Sequence, residues 1–337
     1  MQKRKILITG ASGFIGSNVV DKALELEYET WAGIRKSSSR HYLQDERIHF
    51  IDLNYANQEK LKGQLLDFRN KNGRFDDIVH IAGLTKARQK SDFDKVNWKY
   101  TKNLVEALIE TDNIPDSFLF MSSLGVMGPG DEVNYSLMGA DKLPTPNTAY
   151  GKSKLKTEKW LKSIDAFPYL ILRPTGVYGP RDRDYLILMK AVKRGLEVGA
   201  GYKRQHLSFI YIEDLANIIF SLIEKGIRRK EYFVSDGEIS TDSEFNAIVR
   251  DALHKKNTVR IKVPLFLIKP AAFVNEKIAA FFGKATTFNS DKYRIMKQRN
   301  WGCDITPLKK DIGFQPKYTL KAGVEKTVEW YQKEGWL

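Results

Sequence analysis

The sequence of 337 residues predicts an α/β fold with a doubly wound parallel sheet and a smaller, mostly helical C-terminal lobe. Two observations predict the sheet. A glycine-rich turn at Gly10–Gly16 joins an apolar run to a helical pattern, and apolar runs then alternate with helical patterns as far as Pro174. After Pro180 the alternation becomes irregular, which indicates a second lobe.

The first predicted strand, Lys5–Thr9, leads into the spacing G-x-x-G-x-x-G and then into the helical pattern Ser17–Leu26. A strand, a glycine turn and a helix in this order form a cradle for dinucleotide phosphates. Glycines let backbone amides approach the pyrophosphate, and the helix N-terminus adds its positive end. The predicted cofactor-binding residues of the turn are Gly10, Ser12, Gly13, Phe14, Ile15 and Gly16.

The second predicted strand, Glu29–Ile34, ends in a basic segment that begins with Arg35 and Lys36. An acid at this place would hold the ribose 2′-hydroxyl of NAD, whereas an arginine favours the 2′-phosphate of NADP. The sequence therefore favours NADP(H) and leaves NAD(H) open. The alternative is a basic surface loop without a cofactor role.

The third and fourth predicted strands, Arg47–Ile51 and Asp77–Ile81, are expected to end beside the same cofactor. A side chain after the third strand can reach the adenine, and small residues after the fourth let the backbone lie against the cofactor. The residues at these two strand ends are Asp52, Leu53, Ala82 and Gly83.

A tyrosine and a lysine follow the fifth predicted strand, Ser117–Met121, after a long loop rich in glycine and proline. Tyr150 and Lys154 are four residues apart, so on a helix they share one face. A nearby ammonium favours the phenolate and lowers the pKa of the tyrosine, which can then exchange a proton with a carbinol oxygen. An ordinary helical tyrosine and lysine is the alternative.

The pattern divides the chain into two parts. Residues 1–175, with about 205–236, are predicted to form the dinucleotide-binding domain, including a sixth strand at Pro168–Leu172. Residues 176–204 and 237–337 are predicted to form the substrate-binding lobe. The lobe contains helical patterns at Tyr185–Gly195 and Thr241–His254.

Composition narrows the class of protein. With 42% hydrophobic and 28% charged residues the chain is globular, and its one cysteine, Cys303, excludes an internal disulfide. The basic start Met1–Lys5 precedes only a short apolar run, which is too short for a secretory segment. No apolar run approaches the ~18 residues of a membrane span. We therefore expect a cytoplasmic protein, and we predict no metal site.

The net charge of +14 is unevenly distributed. Residues 247–310 contain fourteen Lys or Arg against four Asp or Glu. A solvated basic surface, an anionic substrate and an anionic membrane are the open interpretations. No nucleic-acid module is recognised, so no nucleic-acid partner is expected. The most apolar stretch, Pro264–Phe282, is either a core helix of the lobe or a surface that lies on anionic lipid.

Together these motifs resemble the extended short-chain dehydrogenase/reductases of the epimerase/dehydratase group, over nearly the whole chain. The matching segments are Gly10–Gly16, Ser123, Tyr150 with Lys154, Leu172–Pro180, Phe209–Leu215 and Asp311–Pro316.

The resemblance implies a Rossmann fold, a homodimer and a Ser-Tyr-Lys site. Ser123 is then the catalytic serine, with Ser122 as the competing assignment. Tyr150 is the acid/base, and Lys154 is its pKa partner and a ribose ligand. Further residues implied are the helix asparagine Asn97 and, bordering the nicotinamide, Pro174, Thr175 and Val177.

Two departures from the family pattern bear on the substrate. Met127 stands where the family often has a tyrosine, and Leu207 stands where nucleotide-sugar enzymes often have an arginine. The segment Tyr28–Arg35 is more similar to the dihydroflavonol-reductase and hydroxysteroid-dehydrogenase branches, which act on less polar carbonyl compounds. The predicted substrate contacts are Thr85, Gly125, Met127 and Leu207.

The predicted activity is NAD(P)-dependent hydride transfer at a secondary alcohol or ketone of a small-molecule substrate. Two alternatives stay open. One is a nucleotide-sugar epimerase or dehydratase, which uses the same residues and returns the hydride. The other is a non-catalytic NAD(P)-binding scaffold or regulator, because a fold does not determine a function.

Overall fold

The computed structural model describes residues 3–283 and 285–337. Over these residues the strands are β1 (Lys5–Thr9), β2 (Glu29–Gly33), β3 (His49–Ile51), β4 (Asp77–His80), β5 (Ser117–Met121), β6 (Tyr169–Pro174), β7 (Gly176–Tyr178), β8 (Leu196–Ala200), β9 (His206–Leu207), β10 (Phe209–Tyr211), β11 (Lys230–Val234), β12 (Ser240–Thr241) and β13 (Val259–Val263).

The same residues form α-helices of very different lengths. They are α1 (Phe14–Glu25), α2 (Gln58–Asn72), α3 (Lys90–Phe93), α4 (Tyr100–Glu110), α5 (Ala149–Ser163), α6 (Asp184–Lys193), α7 (Ile212–Glu224), α8 (Asp242–Ala252), α9 (Leu265–Phe281), α10 (Ser290–Lys297), α11 (Thr306–Ile312) and α12 (Leu320–Lys333). A π-helical segment, Asp94–Lys99, joins α3 to α4, and a 3₁₀ turn covers Leu124–Val126.

Seven parallel strands form the central sheet, in the order β11-β6-β5-β4-β1-β2-β3. The chain builds outward from β1 to β3 and then returns past β1 to β4, so the carboxyl ends of β1 and β4 flank the reversal. In doubly wound sheets this reversal point is where ligands bind. The predicted fold class is confirmed.

Helices cover both faces of the sheet, and a separate apolar cluster fills each face. In β1, Ile6 and Ile8 belong to the cluster under α1 and α7, whereas Leu7 belongs to the cluster under α2, α4 and α5. Successive side chains of a strand point to opposite faces, so one apolar run serves both clusters. This explains why β1 reads as continuously apolar.

No sequence pattern predicts α2, and the segment around Asn97 is less regular than its apolar spacing indicates. Only Leu61, Leu65 and Phe68 of α2 are buried, so its apolar stripe is narrow. The apolar spacing of Ser91–Ile109 predicts one continuous helix, whereas the structure has α3, the π-helical segment and α4 in succession. A π-helical turn inside a helix is rare and is often found at functional sites.

The C-terminal lobe is mostly helical, and it contacts the start of α5. The carboxylate of Asp291 in α10 accepts a hydrogen bond from the backbone N–H of Ala149 at 2.8 Å. The side-chain amide of Gln298 donates to Asn147 Oδ1 at 3.2 Å. The lobe therefore lies against the N-terminal end of the helix that carries Tyr150 and Lys154.

Candidate active site

The turn after β1 has the geometry of a phosphate cradle. Gly10 has φ +69°, and a Cβ added there would lie 2.9 Å from the backbone of Ala82. A Cβ added at Gly16 would lie 2.2 Å from the carbonyl oxygen of Gly10. Only glycine fits at these two positions. Helix α1 begins at Phe14, so the free amides of its first turn adjoin the turn and can bind an anion.

Buried polar contacts hold the ends of β1 and β4 together under this cradle. Thr9 Oγ1 accepts hydrogen bonds from the backbone N–H groups of Ile81 and Ala82, at 3.2 and 3.1 Å. The ring of His80 lies between the hydroxyls of Thr9 and Thr101, 2.9 Å from each. Burial lowers the pKa of His80 to about 3, so its ring is neutral. Its two hydrogen bonds join β4 to β1 and to α4.

The loop after β2 presents exposed cations beside β3. Arg35, Lys36 and Arg40 are exposed, and the guanidinium of Arg40 lies 4.0 Å from the ring centroid of Phe50. The carboxylate of Asp52 accepts a hydrogen bond from the backbone N–H of Lys36 at 3.0 Å. The predicted ribose-end residues are thus neighbours in space.

One prediction at this end needs correction. The side chain of Leu53 is buried in the apolar cluster under α2, so it is not available to contact an adenine. Because the side chain fills the core, only the backbone of Leu53 can take part in binding.

Helix α5 carries the predicted acid/base, and its first turn is capped. Thr148 Oγ1 accepts a hydrogen bond from the backbone N–H of Gly151 at 3.0 Å, which fixes the start of the helix next to Tyr150. Burial raises the pKa of Tyr150 to about 12, while a hydrogen bond with Ser123 lowers it. Ser123 therefore lies next to Tyr150, as two donors to one substrate oxygen must.

Lys154 does not act on Tyr150 as the spacing predicted. Its ammonium donates a hydrogen bond to the carbonyl oxygen of Met121 at 2.7 Å and lies 4.6 Å from the ring centroid of Phe120. Burial lowers the pKa of Lys154 to about 8, while the charge of Glu158 raises it. The prediction that Lys154 lowers the pKa of Tyr150 is wrong for the protein alone, because burial raises that pKa and the ammonium is directed at the carbonyl end of β5.

The two candidate serines have different partners. Ser123 Oγ accepts a hydrogen bond from the backbone N–H of Gly125 at 3.1 Å and lies beside Tyr150. Ser122 is buried, and its hydroxyl donates to the carboxylate of Glu158. Of the two serines, Ser123 is the one whose hydroxyl is next to the phenol.

Asn97 is buried in the π-helical segment and holds the loop after β4. Its Oδ1 accepts from the backbone N–H of Leu84 at 2.7 Å, and its Nδ2 donates to the carbonyl oxygen of Leu84 at 3.0 Å and to Ser153 Oγ at 3.1 Å. A Cβ added at Gly83 would lie 3.0 Å from Asn97 Oδ1 and 3.3 Å from Lys154 Nζ. Asn97 therefore joins the loop after β4 to helix α5.

A buried ion pair that sequence reasoning missed lies directly behind Lys154. Glu158 is 0% exposed and pairs with Arg173, with Nη2 to Oε2 at 2.7 Å and Nε to Oε1 at 3.1 Å. Arg173 also contacts Glu231 at 3.2 Å. The one available signal was that Glu158 lies four residues after Lys154, on the same helix face.

The remaining predicted positions differ in how open they are. Thr85 is exposed, and Gly125 and Val177 are half-buried. The hydroxyl of Thr175, which follows the buried Pro174, donates to the carbonyl oxygen of Val234 at 3.2 Å. Leu207 in β9 is half-buried and pairs with Ser240 of β12.

Met127 is a second correction among the predicted contacts. It is 1% exposed and packs within the core cluster, so its side chain cannot line the substrate pocket.

The comparison with protein families agrees with this geometry. Residues 6–234 match the model of the NAD dependent epimerase/dehydratase family. The chain belongs to this family. It is therefore an NAD(P)-dependent enzyme of the extended short-chain dehydrogenase/reductase type, which confirms the predicted resemblance. In the described residues no group of three or more His, Cys, Asp or Glu side chains is arranged to hold a metal ion.

The curated proteins and solved structures that are similar to this chain are named for different activities. It is 28% identical to a UDP-glucose 4-epimerase of Vibrio cholerae, over 97% of this chain and 95% of the relative. It is 24% identical to a ceramide reductase of Caulobacter vibrioides, over 98% and 96% of the two chains. Among solved structures, the UDP-glucose 4-epimerase of Thermotoga maritima with UDP-glucose has a TM-score of 0.78 at 22% identity, covering 98% of this chain and 99% of that chain.

Proposed function

We propose that this enzyme transfers a hydride between NADP(H) and a secondary alcohol or ketone whose carbon skeleton is largely apolar. The observation that carries the proposal is the placement of Ser123 next to Tyr150, beside the loop that Asn97 joins to helix α5. The nicotinamide, when bound, supplies or accepts the hydride. Ser123 and Tyr150 hydrogen-bond the reacting oxygen, and Tyr150 gives or takes its proton.

In this proposal Lys154 and Asn97 hold the loop after β4 and helix α5 in position around Ser123 and Tyr150. The ammonium of Lys154 is directed at the end of β5 and lies close to Gly83, where the cofactor loop passes. In the proposed complex it binds the ribose of the cofactor and adds a positive charge near the phenol. Such a charge favours the phenolate and offsets the effect of burial on the pKa of Tyr150.

The preference for NADP(H) rests on the exposed cations after β2. Arg35 and Lys36 follow the strand at the place where NAD-specific enzymes carry an acid. The acid that contacts this loop, Asp52, accepts a hydrogen bond from the backbone N–H of Lys36. A guanidinium can pair with the two charged oxygens of a 2′-phosphate.

The apolar substrate rests on Leu207 and on one of the relatives. Leu207 stands where nucleotide-sugar enzymes often carry an arginine that holds the diphosphate, and a leucine cannot bind phosphate oxygens. The relative from Caulobacter is named for a lipid substrate. The identity with it is too low to transfer the substrate itself, so it supports only the class.

A nucleotide-sugar epimerase is the second candidate, favoured by the name of the relative from Vibrio cholerae. The two candidates differ in one measurable respect. An epimerase returns the hydride and leaves the cofactor unchanged, whereas a reductase consumes it. A non-catalytic scaffold would not need Ser123, Tyr150 and Lys154 together.

The test is a screen of cofactor turnover. The protein is incubated with NADPH or NADP⁺ and with long-chain ketones and alcohols, hydroxysteroids and nucleotide sugars, and the absorbance of the reduced cofactor is followed. We expect net turnover with the apolar carbonyl compounds or alcohols. Interconversion of nucleotide sugars without net cofactor change would overturn the proposal in favour of the epimerase.

A further inference from the structure

Helix α9 exposes its apolar side to solvent. Phe266 is 74% exposed and Phe281 is 86% exposed, and Phe273, Val274 and Ile278 are each more than half exposed. Only Ile268 and Ala272 of this helix are buried. At 3.6 residues per turn the exposed residues form one continuous stripe along the helix. The interpretation of this stretch as a core helix is therefore wrong.

A second exposed apolar face immediately precedes α9. Strands β8 and β13 pair in parallel, with Leu196 opposite Val259 and Val198 opposite Ile261. These four side chains are spaced two residues apart along each strand, so they share one face of the pair, and all four are exposed. The chain passes from β13 through Pro264 directly into α9.

We call this pair of faces the apolar docking surface. It consists of Leu196, Val198, Val259, Ile261, Phe266, Leu267, Phe273, Val274, Ile278, Phe281 and Phe282.

The charges within the docking surface are almost all positive. From Val259 to Gly283 the chain carries Arg260, Lys262, Lys269 and Lys277 against a single acid, Glu276. The carboxylate of Glu276 accepts a hydrogen bond from the backbone N–H of Ser290 at 3.0 Å, so it is held against the start of α10. Apolar side chains with basic neighbours are the combination that binds an anionic lipid surface.

The docking surface adjoins the catalytic helix. Helix α10, which packs on α9, binds the backbone of Ala149 through Asp291. The ring of Phe93 lies 6.0 Å from the ring of Tyr150, and Phe93 and Glu276 line the same small cleft. One side chain therefore lies between α9 and the proposed acid/base.

We propose that the apolar docking surface binds the interface of an anionic bilayer and that the substrate is a membrane lipid carrying a secondary alcohol or ketone. The second clause rests on the function proposed above. In the part of the chain that the structure describes, no helix is long and apolar enough to cross a membrane, so the proposed contact is peripheral. Helix α9 then lies in the plane of the interface, with its aromatic side chains among the acyl chains.

A second copy of the chain fits this surface less well. In a symmetric pair the same net-positive surface, with Lys269 and Lys277, would be presented by both copies. Like charges that face one another oppose association. Lipid phosphates, in contrast, neutralise the same lysines while the acyl chains receive the aromatic rings.

The experiment is sedimentation with vesicles. Vesicles of phosphatidylcholine, alone or with roughly one-third phosphatidylglycerol, are mixed at low salt with the wild type and with Phe273→Glu/Ile278→Glu. The matched control is Leu66→Glu/Ile109→Glu, which replaces two exposed apolar residues on α2 and α4. Far-ultraviolet circular dichroism and a cooperative thermal transition of all three proteins verify that they are folded.

We expect the wild type and the control to bind the anionic vesicles, and the α9 variant to bind about tenfold or more weakly. Added salt should weaken the binding of the wild type. Absence of vesicle binding by the wild type, or equal binding by the α9 variant, would overturn the proposal. A vesicle-free dimer that dissociates on the α9 substitution, without any lipid binding, would identify the surface as a contact between copies and would also overturn it.

A second measurement separates this inference from the proposed function. The α9 variant should turn over a short, water-soluble ketone at the wild-type rate. Its turnover of a long-chain ketone held in vesicles should be about tenfold slower than that of the wild type. Equal loss on both substrates would contradict a docking role. Vesicle binding by a wild type that oxidises or reduces no carbonyl compound or alcohol would support docking and would refute the proposed function instead.

Discussion

Replacing Lys154 with methionine should stabilise the folded protein at neutral pH while it removes activity. The ammonium of Lys154 is buried between the carbonyl oxygen of Met121 and the ring of Phe120, and burial lowers its pKa to about 8. At pH 7 the folded protein therefore holds a charge that its surroundings disfavour. Methionine has similar length and no charge, so it should fill the same space.

The size of the effect follows from the pKa. A pKa of about 8 in place of 10.5 corresponds to roughly 3 kcal/mol of destabilisation of the charged form in the folded state. The lost hydrogen bond to Met121 returns about 1 kcal/mol of this. The net gain of about 2 kcal/mol corresponds to a rise in Tm of about 3 °C for a chain of this size.

The pH dependence of stability separately tests whether the buried charge of Lys154 destabilises the folded protein. The pKa of Lys154 is lower in the folded than in the unfolded state, so the unfolded state binds more protons between pH 8 and pH 10.5. The wild type therefore gains stability as the pH rises through this range. The advantage of Lys154→Met should be full below pH 8 and should shrink towards pH 10.

Thermal or denaturant unfolding of the wild type, Lys154→Met and Lys152→Met at pH 7 and pH 9.5 measures both effects. Lys152 is exposed on the same helix, so its replacement controls for the loss of a lysine as such. The reasoning is refuted if Lys154→Met is less stable than the wild type at pH 7, or if its advantage is the same at both pH values.

Two further predictions concern the cofactor and the buried ion pair. Arg35→Ala should weaken NADP(H) binding by about ten- to a hundredfold and leave NAD(H) binding unchanged, because a charge-assisted pair contributes roughly 1.5–3 kcal/mol. Calorimetric titration with both cofactors measures the two affinities. An equal effect on both cofactors would show that Arg35 does not contact the 2′-phosphate. Glu158→Gln should destabilise the protein by about 3–5 kcal/mol, because it leaves the buried guanidinium of Arg173 with only Glu231. Glu158→Gln/Arg173→Met should recover much of that stability in denaturant unfolding, and a double variant no more stable than the single one would contradict this explanation.

The fold was predictable wherever a local pattern corresponds to a local structure. Strands β1 and β5 have the predicted bounds, because strands buried on both faces read as unbroken apolar runs. The turn Gly10–Gly16 was equally recognisable, since two of its positions exclude any Cβ. Helix α2 escaped prediction because its narrow stripe of buried side chains barely marks the period of a helix.

Contacts between distant parts of the chain were not predictable from local patterns. The partner of Glu158 is Arg173, on the neighbouring strand β6, and the spacing along the chain does not reveal this pair. The direction of the Lys154 ammonium depends on the carbonyl end of β5, which the spacing of Tyr150 and Lys154 does not include. For α9, an apolar stretch is the same in sequence whether the chain covers it or leaves it exposed.

The most direct test of the proposed mechanism is a single-turnover measurement on Tyr150→Phe. Enzyme loaded with NADPH is mixed with an apolar ketone that the screen identifies, and oxidation of the cofactor is followed in the wild type and in the variant. The account predicts unchanged NADPH affinity and a rate of hydride transfer lower by roughly a hundredfold or more, because the ring stays in place and only the proton donor is lost. A variant that transfers the hydride at nearly the wild-type rate would contradict the assignment of Tyr150 as the acid/base.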